Sequence, residues 1–195
     1  DVERSRGLGD VYKRQMAIRR IQLSDQAAFE KFQAMLLAEK AAGNPFVETK
    51  KVVDFPAFVA KSKRFETQTD HPDWSTSTNY YYFLDDELVA RIGCRWQLEK
   101  GDLERFGGHI GYVTRTDYRG QGIMTELLLF ALECYRKRGI LRVLITANRY
   151  NIASRRTIEK VGGILEDIVQ VPMDYNVSSL AGQELARYWI NLGEK

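Results

Sequence analysis

Hydrophobic positions recur along the chain with two periods, and the switches between them outline the fold. Residues 17–23 (AIRRIQL) read as a short strand ending at Ser24, a good helix cap. From there Ala27, Phe29, Phe32, Leu36 and Leu37 recur at helical spacing until Gly43, Asn44 and Pro45 stop the run. Asp54 predicts the cap of a second helix carrying Phe55, Phe58, Val59 and Phe65, and Asp70-His71-Pro72-Asp73 predicts a loop. The aromatic run NYYYFL, a tight turn at Asp85-Asp86 and ELVARIGCRWQL then read as paired strands. In the second of these, Ala90, Ile92, Cys94, Trp96 and Leu98 share one face, while Arg91, Gly93, Arg95 and Gln97 share the other. Cys94 is thereby a small apolar side chain in an inward row.

Residues 99–108 form a connection, and HIGYVT (109–114) is the next strand. A helix from about Gly122 to Arg138 places Ile123, Leu127, Leu128, Ala131, Leu132 and Tyr135 on one face, and Gly139 ends it. The strand RVLITA, a helix from about Asn151 to Gly162-Gly163, and the strands ILEDIVQVPM and ELARYWINL complete the order. The expectation is a single α/β (α+β) domain over residues 16–195, with a mixed, mostly antiparallel sheet flanked by helices. Residues 1–15 carry two glycines, mixed charge and no sustained period, and are expected to be a leader foreign to that domain.

Composition narrows the class. At 195 residues, 44% hydrophobic, the chain can bury a sizeable core without disulfide or metal staples. Its 29 basic and 26 acidic residues leave +3, too small an imbalance to indicate a nucleic-acid groove. Two cysteines and two histidines, without short metal-binding spacing, argue against most zinc and iron–sulfur sites. Cys94 and Cys134 read as reduced thiols, which points to the cytoplasm. No apolar stretch approaches the length of a membrane span, and no charged flank leads into an apolar core as in a secretory signal.

The most informative segment is TRTDYRGQGIM, residues 114–124, lying between a strand and an amphipathic helix. Glycines let successive backbone amides approach an anion, and the unpaired amides of the helix start complete a cradle. Arg119 adds positive charge, so a diphosphate is the natural guest. No Lys-Ser or Lys-Thr follows the glycines, and the register is not that of a dinucleotide fold. On these residues alone, a plain glycine turn before a helix is also open.

The segment Arg119-Gly120-Gln121-Gly122-Ile123-Met124 resembles the pyrophosphate-binding motif of the Gcn5-related N-acetyltransferase (GNAT) family, Gln/Arg-x-x-Gly-x-Gly/Ala, with Met124 in the last small-residue slot. The stretch continuing through NIASRRTIEKVGG resembles that family's helix, fifth strand and following helix; the close match spans residues 109–163 and the topology spans 17–192. The resemblance implies transfer of an acetyl group from acetyl-CoA to an amine, without a metal. It implies that pantetheine inserts between HIGYVT and RVLITA, binding backbone near Val113 and Thr114. Amides of Arg119, Gly120, Gln121, Gly122, Ile123 and Met124 would then hold the diphosphate, and Asn151 and Ser154, with Asn148 a weaker candidate, would help position the cofactor. Where many members carry a tyrosine acid, this chain has Ile158, which cannot transfer a proton. A CoA-binding sensor without turnover is therefore the alternative.

Acetyl transfer needs a neutral amine, proximity and a donor for the developing oxyanion. No Cys-His pairing suggests an acyl-enzyme, so direct transfer in a ternary complex is expected. His109 is the candidate base, with Glu99 and Glu104 behind it, and Tyr112 the candidate acid; a backbone amide near Thr114 is the preferred oxyanion donor. Phe46, Phe55, Trp74, Tyr80, Tyr81, Tyr82 and Trp189 could supply aromatic surface to the acceptor pocket, and Asp70, His71 and Asp73 could attract a cation. The expected partner is a small-molecule amine, with a homodimer possible and neither nucleic acid nor membrane expected.

Overall fold

The computed structural model describes residues 15–193. The elements are β1 (Met16–Arg19), α1 (Gln26–Ala41), α2 (Phe55–Arg64), β2 (Ser77–Leu84), β3 (Glu87–Arg95), β4 (Ile110–Thr114), α3 (Ile123–Lys137), β5 (Arg142–Asn148), α4 (Ile152–Lys160), β6 (Ile164–Gln170) and β7 (Glu184–Asn191). This is the order the hydrophobic pattern predicts. The seven strands form one sheet in the order β1-β2-β3-β4-β5-β7-β6, antiparallel throughout except between β4 and β5.

Alternation along β2 explains the two layers. Tyr81 and Phe83 point to one face, where they meet Phe29, Phe32 and Leu36 of α1, Phe55 of α2, and Val113 of β4. Tyr82 points to the other, joining Ile92, Cys94 and the buried stripe of α3. The strand phase shifts once, because a bulge lets Tyr82 face Ala90 while Phe83 faces Leu88. Val89 and Ala90 consequently both enter the α3-side core.

Local chemistry fixes the helix ends. The Asp54 carboxylate accepts the Ala57 N–H at 2.9 Å, and Pro56 suits the first turn. The Asn151 side chain accepts the Ser154 N–H at 3.1 Å to cap α4. At α1 the expected cap is displaced by one residue: the strand stops at Arg19, a short 3-10 turn spans Leu23–Asp25, and Asp25 precedes the helix. The reason is electrostatic. Arg19 holds the nearly buried Asp25 by two bonds of 2.7 Å, and the Gln22 N–H adds a third at 2.7 Å. Although burial opposes ionisation, these partners keep the Asp25 carboxyl below the usual range.

Asp85 and Asp86 both take positive φ, 50° and 63°, as the β2–β3 turn requires. The connection after β3 is not plain loop but carries one π-helical turn, Leu103–Gly107, that buries Phe106. Leu98 falls beyond the end of β3. Of the expected leader, Gln15 belongs to the fold, since its N–H donates to Asp85 Oδ1 and its carbonyl accepts the Asp85 N–H, both at 2.9 Å. Residues 1–14 lie outside the described residues.

Candidate active site

The site begins where the sheet stops being continuous. Parallel β4 and β5 share one ladder pair, Ile110 with Ile145, and then diverge toward their C-terminal ends. On its other edge β4 is fully engaged: Arg115 N–H donates to Val89 O at 2.9 Å and Arg95 N–H to His109 O at 2.8 Å. Backbone direction alternates along an antiparallel ladder, so between those two bonds the polar groups of Gly111 and Val113 face β3. Those of Tyr112 and Thr114 face the opening. The expected pantetheine contact at Val113 is thereby corrected: its backbone serves the ladder, and its side chain packs against α1 and α2. The Thr114 backbone faces the opening, and its carbonyl accepts from Arg119 Nε at 3.1 Å.

The opening leads to the glycine turn. Gly120 and Gly122 have φ of +74° and +83°, and a Cβ on either would meet no protein atom within 4 Å. Gly122 is the N-cap of α3, and the bond from Glu126 N–H to Gly122 O (3.1 Å) is the first full helical one, leaving the amides of Ile123, Met124 and Thr125 without intrahelical acceptors. Exposed amides at a helix N-terminus, with glycines leaving room for close approach, fit a diphosphate. Arg119, however, contributes no free charge. Its guanidinium grips Glu39 of α1 at 2.5 and 2.8 Å, and its Nε donates to Thr114 O at 3.1 Å. The side chain positions the loop, and the amides form the cradle. Gln121 likewise turns back, donating to Asp117 O at 3.1 Å, while Ile123 is core.

Across the opening, the Tyr112 hydroxyl lies 2.7 Å from Ser154 Oγ and 3.3 Å from Ser154 O, bringing together two residues singled out in the sequence. Burial pushes the phenol pKa up to about 12, against the Ser154 hydrogen bond, so it stays protonated across neutral pH. Ile158 is fully buried. Asn151 uses its side-chain oxygen as a helix cap, and Asn148 bonds Gln183 and the Tyr150 N–H, each at 2.9 Å, so both ends of the Asn148 amide are already engaged.

The structure does not place His109 where a base could reach a substrate. It is 3% exposed at the closed end of the β4–β5 opening, where its Nδ1 accepts the Leu144 N–H at 2.9 Å and its own N–H donates to Leu144 O at 2.8 Å. Burial, followed by the positive charge of Arg95, drives its pKa down to about 4. The ring is a neutral backbone acceptor joining two strands. Glu104 lines a separate cavity with Arg187, and Glu99 is exposed outside the sheet.

A cavity of about 540 Å³ lies on the opposite side of the sheet from α3, between α1, α2, β2 and β3. Its apolar wall includes Phe29, Phe32 and Phe58, and its polar groups include Glu48, Asn79 and Arg91. Arg91 stands directly across from Val113 in the β3–β4 ladder, so this cavity adjoins the strand bordering the opening. It is the candidate acceptor site. None of Phe46, Phe55, Trp74, Tyr80, Tyr81, Tyr82 or Trp189 lines it: Phe55, Tyr81 and Tyr82 are core, Tyr80 packs on Phe130, and Trp189 donates to Glu166 at 2.8 Å. Asp70 is engaged by Arg64 and Lys61 of α2, and the His71 Nδ1 accepts the Asp73 N–H at 3.1 Å, so that segment is a turn. Glu48 and Asn79 escape sequence reasoning, since neither sits in a motif. Arg91 was visible only as a charged position on the strand face opposite the apolar row.

Among the described residues, no helix is long and apolar enough to cross a membrane. A profile of the Acetyltransferase (GNAT) family matches residues 48–163. Among curated proteins none matches by sequence. Solved structures similar in fold include a Salmonella typhimurium acetyl transferase that modifies the N-terminal serine of ribosomal protein L7/L12, at TM-score 0.67 and 17% identity over 91% of this chain and 95% of that one. Mycobacterium smegmatis RimJ in complex with CoA-disulfide is similar at TM-score 0.64 and 18% identity, over 90% of this chain and 81% of that one. A spermidine N-acetyltransferase chimera from Vibrio cholerae and hSSAT is similar at 0.61 and 12%, over 91% and 96%.

Proposed function

We propose, for a chain that belongs to the acetyltransferase (GNAT) family and uses acetyl-CoA, that a small-molecule amine is acetylated directly, at the junction of the β4–β5 opening and the cavity beside it. The observation that supports this best is the divergence of β4 and β5 above a single ladder pair, leading to a glycine cradle at the start of α3. Pantetheine would add hydrogen bonds to the edge at Tyr112 and Thr114, and the diphosphate would take the amides from Gly120 to Met124.

In the reaction the amine nitrogen attacks the thioester carbonyl, forming the C–N bond, and the negative charge develops on the carbonyl oxygen. The backbone amide of Thr114 is the proposed donor to that oxygen. As the C–S bond breaks, the electron pair leaves on sulfur, and the Tyr112 hydroxyl supplies the proton. A phenol held protonated well above neutral pH suits an acid, and Ser154 Oγ, within 2.7 Å, can relay a replacement proton. Two protons leave the nitrogen: Glu48, the acid lining the acceptor cavity, is the proposed acceptor of the ammonium proton before attack, directly or through water, and the second passes to water as the amide forms. The second reading, a CoA-binding homologue without turnover, draws support from buried Ile158 at the position of the family's usual acid.

Incubation with acetyl-CoA and an amine library, following thiol release and identifying products by mass, tests the proposal. Acetylated amine with stoichiometric CoA supports direct transfer; saturable acetyl-CoA binding with no product from any amine supports the sensor.

A further inference from the structure

We infer that the acceptor cavity selects a small amine carrying its own carboxylate, an α-amino acid or close derivative with an apolar side chain, and that Arg91 binds the carboxylate. This rests on the acetyltransferase reading above and names its substrate class.

Arg91 and Asn79 both line the cavity, and neither side chain has a hydrogen bond or ion pair to another described residue. Other guanidiniums on this side of the sheet have partners: Arg19 grips Asp25, Arg119 grips Glu39, Arg115 reaches Glu87 and Asp117, and Arg95, without a carboxylate, donates to the carbonyls of Gly107 and Gly108 at 3.0 Å. Asn79 is held over β3, its Oδ1 2.9 Å from where a Cβ on Gly93 would stand, so a larger residue at 93 would push it aside. Beneath them lies a third unpaired group. The Tyr81 hydroxyl is fully buried without a hydrogen-bond partner, and Tyr81 is the direct cross-strand neighbour of Arg91. A cavity-lining guanidinium without a counter-ion, flanked by an unpaired amide, is built to receive an anion, and its planar fork matches a carboxylate.

The remaining lining sets the rest of the ligand. With Lys61 paired to Asp70, Lys40 and Lys50 still join Arg91 against the single lining acid Glu48, so a polycation would meet net repulsion. Glu48 acts on the same electrostatic neighbourhood as Arg91, since both perturb Arg95. One carboxylate beside one free guanidinium suits a zwitterion, with its ammonium toward Glu48. Phe29, Phe32 and Phe58 leave an apolar wall for the side chain, and about 540 Å³ is the scale of a small-molecule site.

The test uses the whole chain with acetyl-CoA and matched pairs: L-phenylalanine against phenethylamine, and L-leucine against isoamylamine, with spermidine as polycation. The expected result is kcat/KM at least about 10-fold higher for each amino acid than for its decarboxylated partner. Arg91→Gln should raise KM for the amino acids by about 10- to 100-fold, with kcat changed far less, and Arg91→Lys should recover part of the loss. Acetyl-CoA affinity, measured by calorimetry, verifies that each variant is folded. Preference for the decarboxylated amines or spermidine overturns the inference, as does an Arg91→Gln effect equal on both members of a pair. Failure to acetylate any amino acid while acetyl-CoA binds saturably also overturns it. Loss of saturable acetyl-CoA binding by the unaltered protein would instead overturn the acetyltransferase reading, and this inference with it.

Discussion

Acidification should weaken the fold through His109, and the size of that effect separates a structural ring from a catalytic one. The ring titrates near pH 6.5 when unfolded and near pH 4 in place, first because it is buried and second because it sits beside Arg95. Between those values the unfolded chain binds more protons than the folded one, so stability is complete above about pH 6.5 and is lost as pH falls. The difference of about 2.5 pH units corresponds to about 3 kcal/mol lost by pH 4. Other groups titrate in acid too, including Asp25 and Asp117, whose carboxyls are held low by arginine partners. His109→Asn cancels them: Asn keeps an acceptor but no titratable ring. Denaturant unfolding of both proteins from pH 7 to pH 4 should show the wild-type advantage shrinking by about 3 kcal/mol. A stability gap independent of pH, together with loss of the acidic limb of the rate profile in the variant, would refute this reasoning and restore His109 as a base.

Three further outcomes follow from the same geometry. Gly122→Val should weaken CoA binding more than Arg119→Ala, since a branched residue at φ +83° costs about 1–3 kcal/mol and fills the cradle, whereas Arg119 is already paired with Glu39; dissociation constants in the reverse order would contradict this. Tyr112→Phe should leave acetyl-CoA affinity within a few-fold and slow single-turnover transfer by about 10²-fold, and an unchanged rate removes Tyr112 as the acid. Tyr81→Phe deletes an unpaired buried hydroxyl, so the ligand-free protein should gain about 1 kcal/mol in denaturant unfolding; a comparable loss would mean the hydroxyl has a partner.

The element order was legible because each helix and strand buries a stripe at its own period, as in Phe29, Phe32 and Leu36 or in Ile92 and Cys94. The glycine cradle was legible because its φ requirements and helix start are local. What failed were roles decided by distant partners. His109 takes its proton state from burial and Arg95 and its hydrogen bond from Leu144, 35 residues later, and Arg119 is neutralised by Glu39, 80 residues earlier. The candidate acceptor cavity assembles Glu48 from an inter-helix segment, Asn79 from β2 and Arg91 from β3, a juxtaposition set by strand register and helix docking. Val113 failed for a subtler reason: residue type says nothing about which way a backbone amide points, and only the β3 ladder decides it.

The lone ladder pair between β4 and β5 also bears on how the molecule opens and closes as a cooperative object. One block, β1 to β4, is a continuous antiparallel ladder; the other, β5 with β7 and β6, is a second, and side chains under α3 rather than backbone hydrogen bonds join most of the seam. Amides facing the seam should therefore exchange with solvent through local separations far cheaper than global unfolding, while those inside each block exchange only with it. A cosubstrate whose arm bonds the β4 edge and packs against β5 would fuse the two blocks into one unit. At 100 times its dissociation constant it stabilises the whole by about 2.7 kcal/mol, and protection should rise most at Tyr112 and Thr114, so hydrogen exchange would report binding residue by residue.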